Sequence, residues 1–194
     1  RVRDRSESAL DACVVSGRRE LEPVRGVNYF AFADPSGGSR DAFTLAIGHL
    51  TGERVVIDCV RAWAPPFNPS GVVQEAAEVL RAYGLRAVTG DRYAGEWPRE
   101  QFRARGIRYV VSDRDRSTLY LDTLPKVNAG LVELPDDARL LRELRGLERR
   151  RGTAGRDRVD HRSGQHDDLA NAVAGVVVNL AARRQGTSKR VHVV

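Results

Sequence analysis

The chain has 194 residues, 41% of them hydrophobic and 30% charged, with a formal net charge of +6. That length allows one well-buried domain with a short appendage, and the absence of a membrane-length apolar run or a signal-peptide pattern argues against a membrane protein or export by that route. The two cysteines, Cys13 and Cys59, stand far apart with no CxxC or Cys/His cluster, which argues against a zinc site or disulfide framework and fits a reducing cytoplasm.

The excess of positive charge suits a polyanionic partner. Lys126 and Lys189 are the only lysines, so the basic residues are almost all arginine. Arginine suits bidentate phosphate contact, although a GC-rich coding sequence produces the same bias. No methionine occurs, even at position 1, and the expectation is a segment of a longer polypeptide.

Residues 1–26 are polar and mixed in charge, with a helical candidate over Ser6 to Val15, and read as a connector. Three strands are expected next, Tyr29 to Asp34, Ala42 to Leu50 and Arg54 to Trp63. The short Thr51-Gly52-Glu53 turn makes the second and third antiparallel. Side chains alternate along a strand, so Phe30, Phe32 and Asp34 share one face and Tyr29, Ala31 and Ala33 the other. A carboxylate leaving water beside two aromatic rings needs a cation or several donors. The local alternative is an Asx-type turn opening Pro35-Ser36-Gly37-Gly38.

Pro65, Pro66 and Pro69 end strand character, and the apolar spacing from Val72 to Leu80 predicts a helix capped by Ser70 and stopped at Gly84. A strand over Leu85 to Thr89 ends at Gly90-Asp91. A helix over Gly95 to Arg105, a strand over Ile107 to Val111, a helix over Ser117 to Val127 and a strand over Leu131 to Leu134 follow. A helix is expected from Asp136 to Arg149. The order implies an α/β layered domain: a mixed sheet, with its first three strands antiparallel and later ones parallel, flanked by helices.

From Arg142 to Arg162 arginines gather around Gly152 and Gly155. This predicts either an arginine-rich loop or hairpin along a phosphate backbone or a solvated surface loop. The last helix is expected over Asp167 to Arg184, with Leu169, Val173, Val176, Val177 and Leu180 as its apolar stripe. Asp168 falls roughly 110° from the stripe centre and Asp167 roughly 150°, so Asp168 lies nearer the packed side, in a row with Asn171, Ala172 and Gly175. A basic tail occupies 185–194.

Carboxylates therefore follow the aromatic face of the first strand, end a later strand at Asp91, where open α/β sheets place ligands, and begin the last helix. Each has a bland role: Asp91 as cap of the next helix, Asp167 or Asp168 as cap of the last. If they converge, their mutual repulsion calls for a cation, and all-oxygen ligands select Mg²⁺ or Mn²⁺ over zinc. Two such ions suit phosphodiester hydrolysis.

These residues resemble a known pattern. Asp34, Asp91 and His166-Asp167-Asp168 are similar to the acidic cluster of RNase H-like nucleases. FADPSGG at 32–38, VTGDRYAG at 88–95, STLY at 117–120 and DHRSGQHDDLANAVAG at 160–175 resemble the nuclease domain of bacteriophage terminase large subunits. The resemblance covers 27–184 and implies an RNase H-like fold and an endonuclease cutting concatemeric double-stranded DNA during genome packaging in the host cytoplasm. By that pattern Asp34, Asp91 and Asp168 would be metal ligands for Mg²⁺ or Mn²⁺, with Asp167 a fourth. His166 would stand near the site, as a residue acting on water or as a helix-entry residue bonded to backbone.

Arg149, Arg150, Arg151, Arg156 and Arg158 are the candidate DNA contacts. The implied partners are double-stranded DNA, a packaging ATPase domain, a portal and a small terminase subunit, with no membrane. No GxxxxGK[ST] phosphate loop occurs in the chain,. Holliday-junction resolvases and integrase-like recombinases share the fold and the cluster. An actin-like kinase or ATPase, whose DPSGG-like turn grips phosphate, would need a second similar half, and a non-cutting nucleic-acid module would use its carboxylates only as caps.

Overall fold

The computed structural model describes residues 3–36, 38, 41–91, 96–151, 157–161 and 166–190. Helix α1 (Arg3–Ala12) and the two-residue strand β1 (Val14–Val15) lead into β2 (Tyr29–Asp34), β3 (Phe43–Thr51) and β4 (Arg54–Trp63). Then come α2 (Pro69–Ala82), β5 (Ala87–Gly90), α3 (Trp97–Arg103), β6 (Arg108–Val111), α4 (Arg116–Asn128), β7 (Val132–Pro135) and α5 (Ala138–Arg145). The hairpin β8 (Leu147–Arg151) and β9 (Asp157–His161) and the last helix α6 (Asp168–Arg190) complete the chain.

Seven strands form one mixed sheet in the order β1-β7-β4-β3-β2-β5-β6. The pairs β2/β3 and β3/β4 are antiparallel, and the remaining pairs are parallel. This is the expected α/β class, with the RNase H-like arrangement of three antiparallel strands followed by parallel ones. Among the described residues, no helix is long and apolar enough to cross a membrane.

Alternation along β2 divides the core. Phe30 and Phe32 join the cluster containing Leu169, Val173, Val176, Val177 and Leu180 of α6. Ala31 and Ala33 join the opposite cluster, with Val73, Ala77 and Leu80 of α2 and Phe102 of α3. Asp34, next in the Phe30–Phe32 series, therefore belongs to the α6 side.

Helix α6 lies close against that side because two glycines permit it. A Cβ on Gly175 would stand 2.2 Å from Phe32 Cγ, and one on Gly48 would stand 2.9 Å from Val176 Cγ1. Both separations are shorter than van der Waals contact, so only hydrogen at these positions lets helix and sheet touch. Farther along, the Arg183 guanidinium lies 4.6 Å from the Phe30 ring centroid, a cation–π contact.

Several expected boundaries move. Helix α2 is capped by Asn68, whose Oδ1 accepts from the Ser70 amide at 2.9 Å, and not by Ser70. Pro69, with its preset φ and missing N–H, takes the first helical turn and shifts the start back. Helix α5 stops at Arg145 with Gly146 as its C-cap, and the residues expected to continue it to Arg149 form β8, whose backbone groups pair with β9. Residues within the expected connector pack with the domain: Leu10 and Cys13 are core residues, and β1 pairs with β7. Helix α6 continues into the expected tail as far as Arg190.

Candidate active site

Parallel pairing of β2 with β5 sets Phe32 beside Thr89 and Ala33 beside Gly90. The next residues are Asp34 and Asp91, so two buried carboxylates emerge side by side at the carboxyl ends of adjacent strands, 7% and 8% exposed. The Asp91 amide extends the pairing with a 3.3 Å bond to Ala33 O, and Tyr109 on β6 donates to the Asp91 carbonyl at 2.9 Å. Backbone on both sides thereby fixes where the Asp91 side chain starts.

Asn171, one turn into α6 and fully buried, closes the pair. Its Nδ2 donates to Asp34 Oδ2 at 2.8 Å and reaches Asp91 Oδ2 at 3.5 Å. The amide orientation follows from these acceptors, and it leaves Asn171 Oδ1 buried without a partner. Asn171 Oδ1 is therefore an acceptor that a donor or a cation could still engage.

Asp167 and Asp168 are both buried but face different neighbours. Asp167 Oδ1 accepts from Arg116 Nη1 at 2.7 Å and Oδ2 from Tyr120 OH at 2.8 Å. Arg116 and Tyr120 are one helical turn apart on the same face of α4, and Asp115 caps that helix through the Thr118 amide. The second arm of the guanidinium, Nη2, donates to Asp34 Oδ2 at 3.1 Å. Asp168 turns toward the start of β3: its Oδ2 accepts from the Ala42 amide at 3.2 Å and its carbonyl from Thr44 Oγ1 at 2.7 Å. Thr44 is the cross-strand partner of Asp34, so Asp168 is fastened next to Asp34 by the same pair of strands.

The first amides of α6 are satisfied from outside. Glu143 Oε2 on α5 accepts from Leu169 N at 2.8 Å and Ala170 N at 3.0 Å, while its Oε1 accepts from Arg139 Nε at 2.7 Å. A carboxylate at a helix N-terminus is stabilised there by the unpaired amides and the macrodipole.

Burial dominates the electrostatics. It pushes the Asp34 carboxyl up to about 7, against the opposing pull of Arg116 and Asn171 and with help from the charges of Asp91 and Asp168. Asp168 is also raised, first by burial, with the Ala42 amide lowering it and Glu143 and Asp41 adding repulsion. Burial works to lower the Arg116 guanidinium, yet Asp34 and Asp167 outweigh it and hold the group more firmly protonated than usual.

No family profile and no curated protein matches the sequence. Among solved structures, the large terminase nuclease from thermophilic phage G20c superposes with a TM-score of 0.75 at 21% identity, over 90% of this chain and 97% of that one. The fold is that of the large terminase nucleases. The G20c nuclease with bound magnesium gives a TM-score of 0.73 at 21% identity, covering 89% of this chain and 95% of that one. The HK97 bacteriophage large terminase gives 0.71 at 15% identity, covering 89% of this chain but 42% of that one.

Within this terminase-nuclease fold the sequence-derived candidates fall into two linked groups. Asp34 and Asp91 meet through Asn171, and Asp167 joins Asp34 through Arg116. Asp168 meets Asp41 and His166: each of these three offers one ligand atom, all within 4.8 Å of one another. His166 is exposed, with Nδ1 at 3.4 Å from Asp41 Oδ1. Asp91 does not cap the following helix, which begins at Trp97 with Glu96 in the cap position.

Of the arginine candidates, Arg149, Arg150 and Arg151 lie on β8 and Arg158 on β9, and Arg156 lies outside the described residues. Sequence reasoning missed Arg116, Tyr120 and Glu143 as site residues. STLY did contain Tyr120, but nothing in a lone tyrosine announces a carboxylate partner 47 residues away. Asn171 was visible only as a small residue in the row of Asp168.

Proposed function

We propose that this chain is a divalent-metal-dependent endodeoxyribonuclease of a viral packaging motor, cutting concatemeric double-stranded DNA by phosphodiester hydrolysis. The observation that carries the reading is the pair Asp34 and Asp91, side by side at parallel strand ends and bridged by Asn171. It occurs on a fold whose G20c counterpart carries bound magnesium.

The residues suit hard divalent cations. Carboxylate oxygens dominate the donors, Asn171 Oδ1 has no hydrogen-bond partner, and burial pushes the Asp34 carboxyl up to about 7 in spite of Arg116 beside it, a penalty on its charged form that a bound cation would offset. Asp34, Asp91 and Asp168, with Asp167 as a fourth, would hold Mg²⁺ or Mn²⁺. Asp168 also approaches Asp41 and His166, which supports two ion positions sharing one carboxylate. Bound there, the ions supply Lewis-acid activation of water and neutralise charge developing on the leaving oxygen.

The chain's own residues do the rest. Asn171 orients Asp34 and Asp91 together, Tyr120 fixes Asp167, and Ala42 and Thr44 fix Asp168. His166, exposed and beside Asp41 and Asp168, would act on an incoming water where it does not itself hold an ion. Arg149, Arg150, Arg151, Arg156 and Arg158 are the residues this reading assigns to contact with the DNA backbone. An ATPase domain, a portal and a small terminase subunit are the partners this reading implies, in the host cytoplasm.

The test is supercoiled plasmid with the purified chain and Mn²⁺ or Mg²⁺. Nicking or linearisation is expected, and Asp34→Ala, Asp91→Ala and Asp168→Ala should each abolish it while keeping the wild-type circular dichroism spectrum. Unchanged cutting by all three variants refutes the assignment. A strong preference for a four-way junction over linear duplex moves it to the resolvase and integrase-like class.

A further inference from the structure

Arg116 occupies an unusual position for an arginine in a site that is to receive divalent ions. One guanidinium spans two carboxylates from separate elements, Asp34 at the end of β2 and Asp167 before α6, at 3.1 and 2.7 Å. Asp34 Oδ2 accepts from both Arg116 and Asn171, so an ion taking that oxygen displaces one donor, and an ion taking Oδ1 still meets the Arg116 charge. Asn171 is completely buried and lies inside a packed helix turn. The Arg116 side chain is 34% exposed, at the first residue of α4, and is the donor with somewhere to go.

We propose that Arg116 is a built-in counter-ion that competes with divalent metal for Asp34 and Asp167 and, once displaced, turns to a DNA phosphate. The inference rests on reading these carboxylates as metal ligands. A guanidinium and a divalent cation a few ångströms apart repel, so metal loading is opposed while Arg116 holds the carboxylates. The two non-bridging oxygens of a phosphodiester can accept from both arms of a guanidinium, as a carboxylate does. DNA that draws Arg116 away removes the competitor, and metal and DNA then bind with positive coupling, each raising the other's affinity by the same factor.

The experiment is calorimetric titration of the full chain with Mn²⁺ at fixed ionic strength, for wild type, Arg116→Gln and Arg116→Met, which keeps the aliphatic stem, and Asp34→Asn. Without DNA both Arg116 variants are expected to bind Mn²⁺ roughly tenfold or more tightly than wild type. A nuclease-resistant phosphorothioate duplex should tighten Mn²⁺ binding in wild type and do so much less in the variants. Equal or weaker Mn²⁺ binding by the folded variants overturns the proposal and leaves the metal site standing. Wild-type Mn²⁺ binding that Asp34→Asn does not alter removes the metal site itself. Should neither Arg116 variant fold, the nitrogen-15 side-chain signals of wild-type Arg116 decide: a change on Mg²⁺ saturation supports release, and unchanged signals refute it.

Discussion

A carboxyl that burial pushes up to about 7 ties the stability of the metal-free protein to pH. The unfolded chain releases the Asp34 proton near pH 4, whereas the folded chain retains it to about 7,. Between those values the folded state holds more protons, so the stabilisation is complete below pH 4 and is lost as pH rises through 7. Asp168, also raised, acts in the same direction. Thermal unfolding without metal should give a lower Tm at pH 8 than at pH 5, with about 3 kcal/mol as the ceiling for the Asp34 contribution over that interval. Asp34→Asn should flatten that difference; an equally steep pH dependence in the variant would show that Asp34 is not its source. Asp167 makes a simpler case. Tyr120→Phe removes a hydroxyl donor at 2.8 Å from a fully buried carboxylate, and urea unfolding should register a loss of about 1–3 kcal/mol.

The elements that carry these residues are held by contacts that leave little slack. Gly175→Ala would place a methyl 2.2 Å from the Phe32 ring, so α6 must lift from β2 or Phe32 must leave its rotamer. A destabilisation of about 1–3 kcal/mol is expected, together with weaker Mn²⁺ binding in titration, because Asn171 sits one turn away on the same helix. Glu143→Ala should cost roughly 1–2 kcal/mol by stripping the Leu169 and Ala170 amides of their acceptor,. Wild-type stability in the latter variant would mean that water replaces the carboxylate. At this scale the sequence was readable wherever a period was uninterrupted. The alternation of Tyr29–Asp34 placed Asp34 on the correct face, and the stripe from Leu169 to Leu180 placed the last helix. Residues 147–149 depart from the expected helix: their spacing extends it, whereas Gly146 caps α5 and pairing with β9 makes them a strand. Asn68 and Ser70 are both capping residues, and Pro69 between them settles the choice. Arg116 and Glu143 were illegible because their partners lie 82 and 26 residues away and no local pattern encodes such distances.

Across the whole molecule, the DNA binding proposed above would draw on the +6 net charge and the arginine hairpin. Replacing Arg149, Arg150, Arg151 and Arg158 with serine should weaken binding to duplexes of any sequence. It should also reduce the slope of log affinity against log salt by about 0.9 for each phosphate that is no longer neutralised; an unchanged slope would place the DNA elsewhere. The order of the site along the chain has a further consequence. Asp34 arises early, Asp91 midway, and Asn171 with the paired aspartates only in the final helix, which seats itself against strands made long before. On the function proposed above, a ribosome releasing this polypeptide exposes no complete site until the Asp167–Asn171 segment has been made.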